Sequence, residues 1–213
     1  MIPTPEQIKT IYAGIDQLPL EADTQGWNSD GPIFSEVIGR TMPKVIIEVG
    51  SWRGGSAVHM GHLCRSLGLQ PVIYCVDLWV PPIGVGLGGF PETHIPDRFD
   101  APSFYEQFLF NIKKRTFDDM IVPVRGLTKC VAWCLNAWGL KAQAIYLDAS
   151  HDELSVSEDL ASYWPLLAPG GLMFGDDYSS HPGVKAAVDR FADQHSRKVR
   201  EFRAREGTQW LLE

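Results

Sequence analysis

KVIIEVGSWRGGSA, residues 44–57, runs a β-branched apolar strand into a glycine turn and then toward a helix. Val45, Ile46, Ile47 and Val49 leave little polar surface on either face, as a buried parallel strand requires, and Gly50 ends the run. Gly54 and Gly55 precede a helical stretch from about Gly55 to Leu67. A turn without side chains lets a ligand approach the backbone closely. Taken alone, it is equally an ordinary tight connection from strand to helix.

The same alternation continues on both sides of this stretch. PVIYCVD (71–77), MIVPV (120–124), QAIYLD (143–148) and GLMFGDD (171–177) read as further strands. Between them lie the helical patterns FYEQFLFNIKKR (104–115), LTKCVAWCLNAW (127–138) and SEDLASYWPLL (157–167), the last ended near Pro169-Gly170-Gly171. PGVKAAVDRFADQH (182–195) opens with proline, as first helical turns often do. VREFRA and TQWLLE flank Gly207 and read as a closing antiparallel pair. This order predicts an α/β fold with a doubly wound, Rossmann-like sheet, mostly parallel, whose ligands lie beyond the carboxyl ends of its strands. Residues 1–43 are expected to form an N-terminal helical extension and 44–213 the ligand-binding sheet domain, the whole being a single globular domain.

Acids stand at several of those strand ends. Asp77 closes the second strand, where a carboxylate can bind both ribose hydroxyls of a nucleoside. Glycine turn plus acid indicates a nucleoside ligand without separating NAD from S-adenosylmethionine. GVGLGG (84–89) matches the dinucleotide fingerprint through Gly84, Gly86 and Gly89. Flanking prolines prevent a helix from starting there, so the stretch reads instead as a flexible loop over the site. Asp148 ends the fourth strand and Asp176-Asp177 end the fifth, neighbours in this architecture. Three crowded carboxylates cannot all stay ionised without a cation. Oxygen donors without cysteine favour Mg²⁺ over zinc. His151, three residues after Asp148, could take a proton from a hydroxyl beside the metal. His181 is a second candidate facing the acceptor.

Composition sets outer limits. The 213 residues carry a formal charge of −7, which argues against a nucleic-acid partner, since phosphate binding needs a basic surface. Apolar residues make up 45% and charged residues 21%, ordinary for a globular chain. No apolar run reaches the roughly 18 residues that a membrane span needs. Cys64, Cys75, Cys130 and Cys134 form no framework and read as core thiols. Together with an amino terminus lacking a signal region, this predicts a cytoplasmic protein with reduced thiols. Trp27, Trp52 and Trp79 read first as packing residues, although Trp79 beside Asp77 could touch an adenine.

EVGSWRGGS with its strand acid Glu48, YCVDLW with Asp77, YLDASHDE, and LLAPGGLMFGDDY resemble the class I S-adenosylmethionine-dependent methyltransferases. Over residues 27–213 the similarity is to their metal-dependent branch that methylates natural-product sugars, of the mycinamicin and tylosin type. The resemblance implies that Asp148, Asp176 and Asp177 hold Mg²⁺ and that His151 is the general base, with Asp148 part of the catalytic pair. It implies cosubstrate contacts from Glu48, Gly50, Ser51, Gly54, Ser56, Asp77, Leu78, Thr128 and Asp148. Ala149, often glycine in that branch, and the PPIGVGLGG insert depart from it. The expected acceptor is a small hydroxylated molecule, a sugar or catechol-like diol, and the chain could form a homo-oligomer. Two other readings remain beside it: a non-catalytic nucleoside-binding protein and an NAD-dependent oxidoreductase.

Overall fold

A computed structural model describes residues 2–80 and 103–213. The glycine-rich loop expected to cover the site, Gly84–Gly89 included, lies outside those residues, as does His94.

Among the described residues, seven strands form one sheet in the order β3-β2-β1-β4-β5-β7-β6. They are β1 (Val45–Val49), β2 (Val72–Asp77), β3 (Ile121–Arg125), β4 (Ala142–Leu147), β5 (Leu167–Gly175), β6 (Val199–Arg203) and β7 (Thr208–Leu212). The first five run parallel, and β7 joins β5 and β6 antiparallel. All five residues of β1 are buried, because the central strand is covered on both faces. The strand order reverses direction beside β1, so β1 and β4 flank the crevice where open α/β sheets place their ligands.

The helices are α1 (Pro5–Ile11), α2 (Pro32–Thr41), α3 (Gly55–Ser66), α4 (Phe104–Lys114), α5 (Thr128–Ala137), α6 (Glu153–Tyr163) and α7 (Pro182–Gln194). Thr4 and Ser103 cap α1 and α4 in reciprocal boxes with Gln7 and Glu106. Within residues 1–43, Ile8, Tyr12, Ile33, Phe34, Val37 and Ile38 are buried in the same core as the sheet. Phe34 packs edge-on against Tyr146 of β4 and Phe174 of β5. The N-terminal segment therefore contributes to the central core.

Three details differ from the sequence-based expectation. Helix α6 starts at Glu153 rather than near Ser157, because Asp152 accepts the Ser155 N–H at 2.9 Å and caps it. Pro169-Gly170-Gly171 does not separate helix from strand. It lies inside β5, where the register against β4 shifts between Ala142 and Ala144. Cys130 faces solvent and Cys134 is half-buried, since α5 turns Val131, Ala132 and Leu135 inward instead; all four cysteines are free thiols.

Candidate active site

The glycine turn after β1 is shaped by its neighbours. Gly50 has φ of 85°, and a Cβ there would lie 2.0 Å from the Asp148 carbonyl oxygen and 2.6 Å from Ala149 Cα. The missing side chain thus lets the backbone after β4 lie against the turn, which Asp148 seals by donating its N–H to Val49 O at 2.8 Å. Gly54, with φ of 86°, begins α3 against Phe108 and Ile112 of α4. Gly55 stands beside Gly26 and Ser29, so the 24–29 segment crosses directly over the turn.

Asp77 holds this turn from the side. Its Oδ2 accepts the Ser51 and Trp52 N–H groups at 3.0 and 2.9 Å, and its Oδ1 accepts from Trp79 N at 2.8 Å. Trp79 itself is buried against Tyr105 and Phe108, with its indole N–H on Trp52 O. It packs rather than facing the cleft. Glu48 is fully buried beneath the turn, where its carboxylate accepts from Ser56 and Cys75. Burial raises its pKa, and its side chain braces β1, β2 and α3 together. Leu78 is partly exposed, and its carbonyl accepts from Arg125. Thr128 does not cap α5, whose N-cap is Leu127. Its hydroxyl donates to Asp159 of α6 at 2.6 Å.

The other end of the site is built on the ends of β4 and β5. Asp148, Asp176 and Asp177 line one small cavity together with His151, Asp159 and Trp210. Burial, then the Asp176 and Asp177 charges, pushes Asp148 up to about 8, while Tyr146 donates to it at 3.1 Å. Asp176 is 5% exposed and is pushed up by burial to about 6. It accepts from Asn28 Nδ2 at 3.3 Å, Gln209 Nε2 at 3.3 Å and Asp177 N at 2.8 Å. Asp177 takes a left-handed φ of 63°, which an aspartate tolerates better than most residues. Its two oxygens are shared out: Oδ2 lies 2.9 Å from His151 Nε2, and Oδ1 lies 3.1 Å from His181 Nδ1. Burial opposes its ionisation, but hydrogen bonds from His151 and Ser180 hold it down to about 2. The same bond raises His151 above the usual histidine range. The two imidazole rings are 4.1 Å apart.

One cleft of about 610 Å³ joins both ends. Gly50, Ser51, Gly55 and Ser56 line it on one side, and Asp148, His151, Asp176, Asp177 and His181 on the other. Thr24–Ser29 form a wall between them, with Trp27 half-exposed. Sequence reasoning missed Asn28, Gln209 and Tyr146, which orient the acids. Nothing in their spacing marks them, because Asn28 and Asp176 are 148 positions apart. Asp159 was also missed; burial raises it to about 6, against the Thr128 hydrogen bond.

No curated protein matches the chain. Among solved structures, the O-methyltransferase NovP is similar at 18% identity, over 84% of this chain and 77% of that one, with a TM-score of 0.62. TomG from Streptomyces achromogenes, an O-methyltransferase of tomaymycin synthesis solved with its cosubstrate SAM, is 14% identical over 97% and 88%, at a TM-score of 0.63. The O-methyltransferase from Bacillus cereus, in complex with SAH, is 14% identical over 100% and 91%, at 0.60. At these identities the likeness establishes the fold, which is that of O-methyltransferases. The profile described as "Methyltransferase domain" matches residues 47–178, from β1 past the acid pair at the end of β5. The chain belongs to the methyltransferase-domain family.

Proposed function

We propose that the protein transfers the methyl group of S-adenosylmethionine to a hydroxyl of a small molecule, a sugar or catechol-like diol, with the help of Mg²⁺. The observation that carries this reading is the single cleft, in which the glycine turn and the acid-imidazole cluster face one another. The cosubstrate would lie along the turn, with its ribose at Asp77 and its sulfonium toward Asp148. Gly50, Ser51, Gly54, Ser56 and Leu78 would flank it, Glu48 would support it from beneath, and Thr128 would stand near the adenine.

Asp148, Asp176 and Asp177 suit a hard divalent cation. They converge on one cavity, and burial, followed by the charges of the neighbouring acids, disfavours the ionised forms of Asp148 and Asp176, a penalty that a cation would relieve. When bound, Mg²⁺ lowers the pKa of an adjacent hydroxyl and fixes its position. Asn28 and Gln209 keep the Asp176 carboxylate turned into the site. With His151 Nε2–H donating to Asp177, Nδ1 carries the free lone pair that can take the acceptor's proton. The acceptor oxygen would attack the methyl carbon as the carbon–sulfur bond breaks, leaving S-adenosylhomocysteine. Gly26 and Trp27 would enclose the acceptor on the side away from the sheet. No described helix is long and apolar enough to cross a membrane.

Calorimetric titration with S-adenosylhomocysteine and with NAD, each with and without Mg²⁺, tests the reading. S-adenosylhomocysteine should bind and NAD should not, and Mg²⁺ should strengthen binding of a catechol or sugar acceptor. Binding of NAD alone would overturn it. Nucleoside binding with no methyl transfer to any hydroxylated acceptor would make the protein a binding module.

A further inference from the structure

Asp177 begins a turn that returns four residues later at His181. The His181 N–H donates to the Asp177 carbonyl at 3.1 Å, closing the turn, and His181 then stands at the N-terminus of α7. Both side chains point into the cleft. Asp177 Oδ1 and His181 Nδ1 are 3.1 Å apart, and Ser180 Oγ stands 2.8 Å from the first and 3.2 Å from the second. Two ligands bound about 2.1 Å from one ion, at right angles, lie about 3.0 Å apart. The pair is therefore already spaced as adjacent ligands of a single cation. His151, Asp177 and His181 together offer three ligand atoms within 4.8 Å of one another.

We propose that His181 is a nitrogen ligand of the metal centre, chelating with Asp177 from one turn, while His151 stays outside the coordination shell on the other oxygen of the same carboxylate. This deepens the metal-dependent reading above and rests on it. His181 and Asp177 Oδ1 belong to one turn and form the two arms of a chelate, whereas His151 reaches the other oxygen, Oδ2, from beyond β4. A carboxylate that ligates through one oxygen is commonly oriented by a hydrogen bond to the other. An imidazole among carboxylates changes which ion the site prefers. Mg²⁺ favours all-oxygen surroundings, whereas imidazole is taken up by first-row transition ions, with affinity rising from Mn²⁺ to Cu²⁺ and falling again at Zn²⁺. The centre should accordingly select a transition ion such as Mn²⁺ over Mg²⁺.

The test uses the full chain stripped of metal, with Mn²⁺ and Mg²⁺ as probes. Pulsed electron paramagnetic resonance of the Mn²⁺-loaded protein should show modulation from a directly bound ¹⁴N. His181→Ala should remove that signal, and His151→Ala should keep it. Calorimetry should give Mn²⁺ an advantage over Mg²⁺ of about tenfold or more, narrowed toward parity in His181→Ala. Mn²⁺ binding without nitrogen modulation would overturn the proposal while leaving an oxygen-only site intact. A signal lost in His151→Ala and kept in His181→Ala would assign the ligand to the other histidine. Absence of any divalent-ion binding in the unaltered protein would overturn this proposal and the metal-dependent reading together.

Discussion

The carboxylate that braces the glycine turn and those of the acid-imidazole cluster have different kinds of partner. Asp77 is held by three backbone N–H groups, two from the glycine turn and one from Trp79. Asp148, Asp176 and Asp177 are held largely by side chains: Tyr146, Asn28, Gln209, His151, Ser180 and His181. Backbone partners come with the fold and cannot leave without unmaking the turn. Side-chain partners can rotate away and give their place to a ligand. The first end is thus a fixed socket, and the second is a set of groups free to exchange partners during a reaction.

Asp148→Asn should produce the largest effect, because it removes a charge from the exchangeable end only. Metal-dependent acceptor binding should be abolished, while calorimetry should show S-adenosylmethionine affinity nearly unchanged. Parallel loss of both affinities would show that the two ends do not act separately. His151→Ala comes next: turnover should fall on the order of 10² to 10⁴, with both binding events retained, as for removal of a general base. Full activity would move the base elsewhere.

A smaller effect is expected in the metal-free protein as pH rises. Burial pushes Asp148 up to about 8 and Asp176 up to about 6, both above the ~3.9 of a free aspartate. Between those limits the folded state holds protons that the unfolded chain has released, so stability should decline as pH rises from about 4 toward 8. Thermal melts across this window, repeated with a divalent ion, should show the decline and its relief. A flat profile would mean that the acids are better solvated than their burial implies. Asp77→Ala should be the mildest, weakening S-adenosylmethionine binding by about 1–3 kcal/mol, the scale of charged hydrogen bonds lost on truncation. Unchanged affinity in a folded variant would leave Asp77 as a brace for the turn alone.

How much of this was legible in the sequence follows the same division. The strand ends and the acids on them were readable, because β-branched runs and their closing residues are local signals. The start of α6 was obscured, since the four residues before Ser157 carry no strong helical pattern and the cap at Asp152 alone marks it. The partners of Asp176 were invisible: Asn28 and Gln209 come from opposite ends of the chain, 148 and 33 positions away. Trp79 stands beside Asp77 in sequence, yet its left-handed φ of 46° and the aromatic cluster of α4 carry its ring away from the cleft.

Asn28 has a consequence for retargeting the protein. Its side chain pairs with both the N–H and the carbonyl of Glu206, at 2.9 and 2.7 Å, while its amide also reaches Asp176. The 24–29 wall is thereby tied at its foot to the acid cluster, with a second tie where Gln25 accepts from the Trp52 indole N–H at 3.2 Å, while Trp27 stands half-exposed in the cleft. A library that varies Thr24 and Trp27 and keeps Gly26 and Asn28 would change what the wall admits without releasing the acid beneath it. Acceptor preference and reaction chemistry would then be separately adjustable traits, the first written in a short stretch near the amino terminus and the second at the ends of β4 and β5.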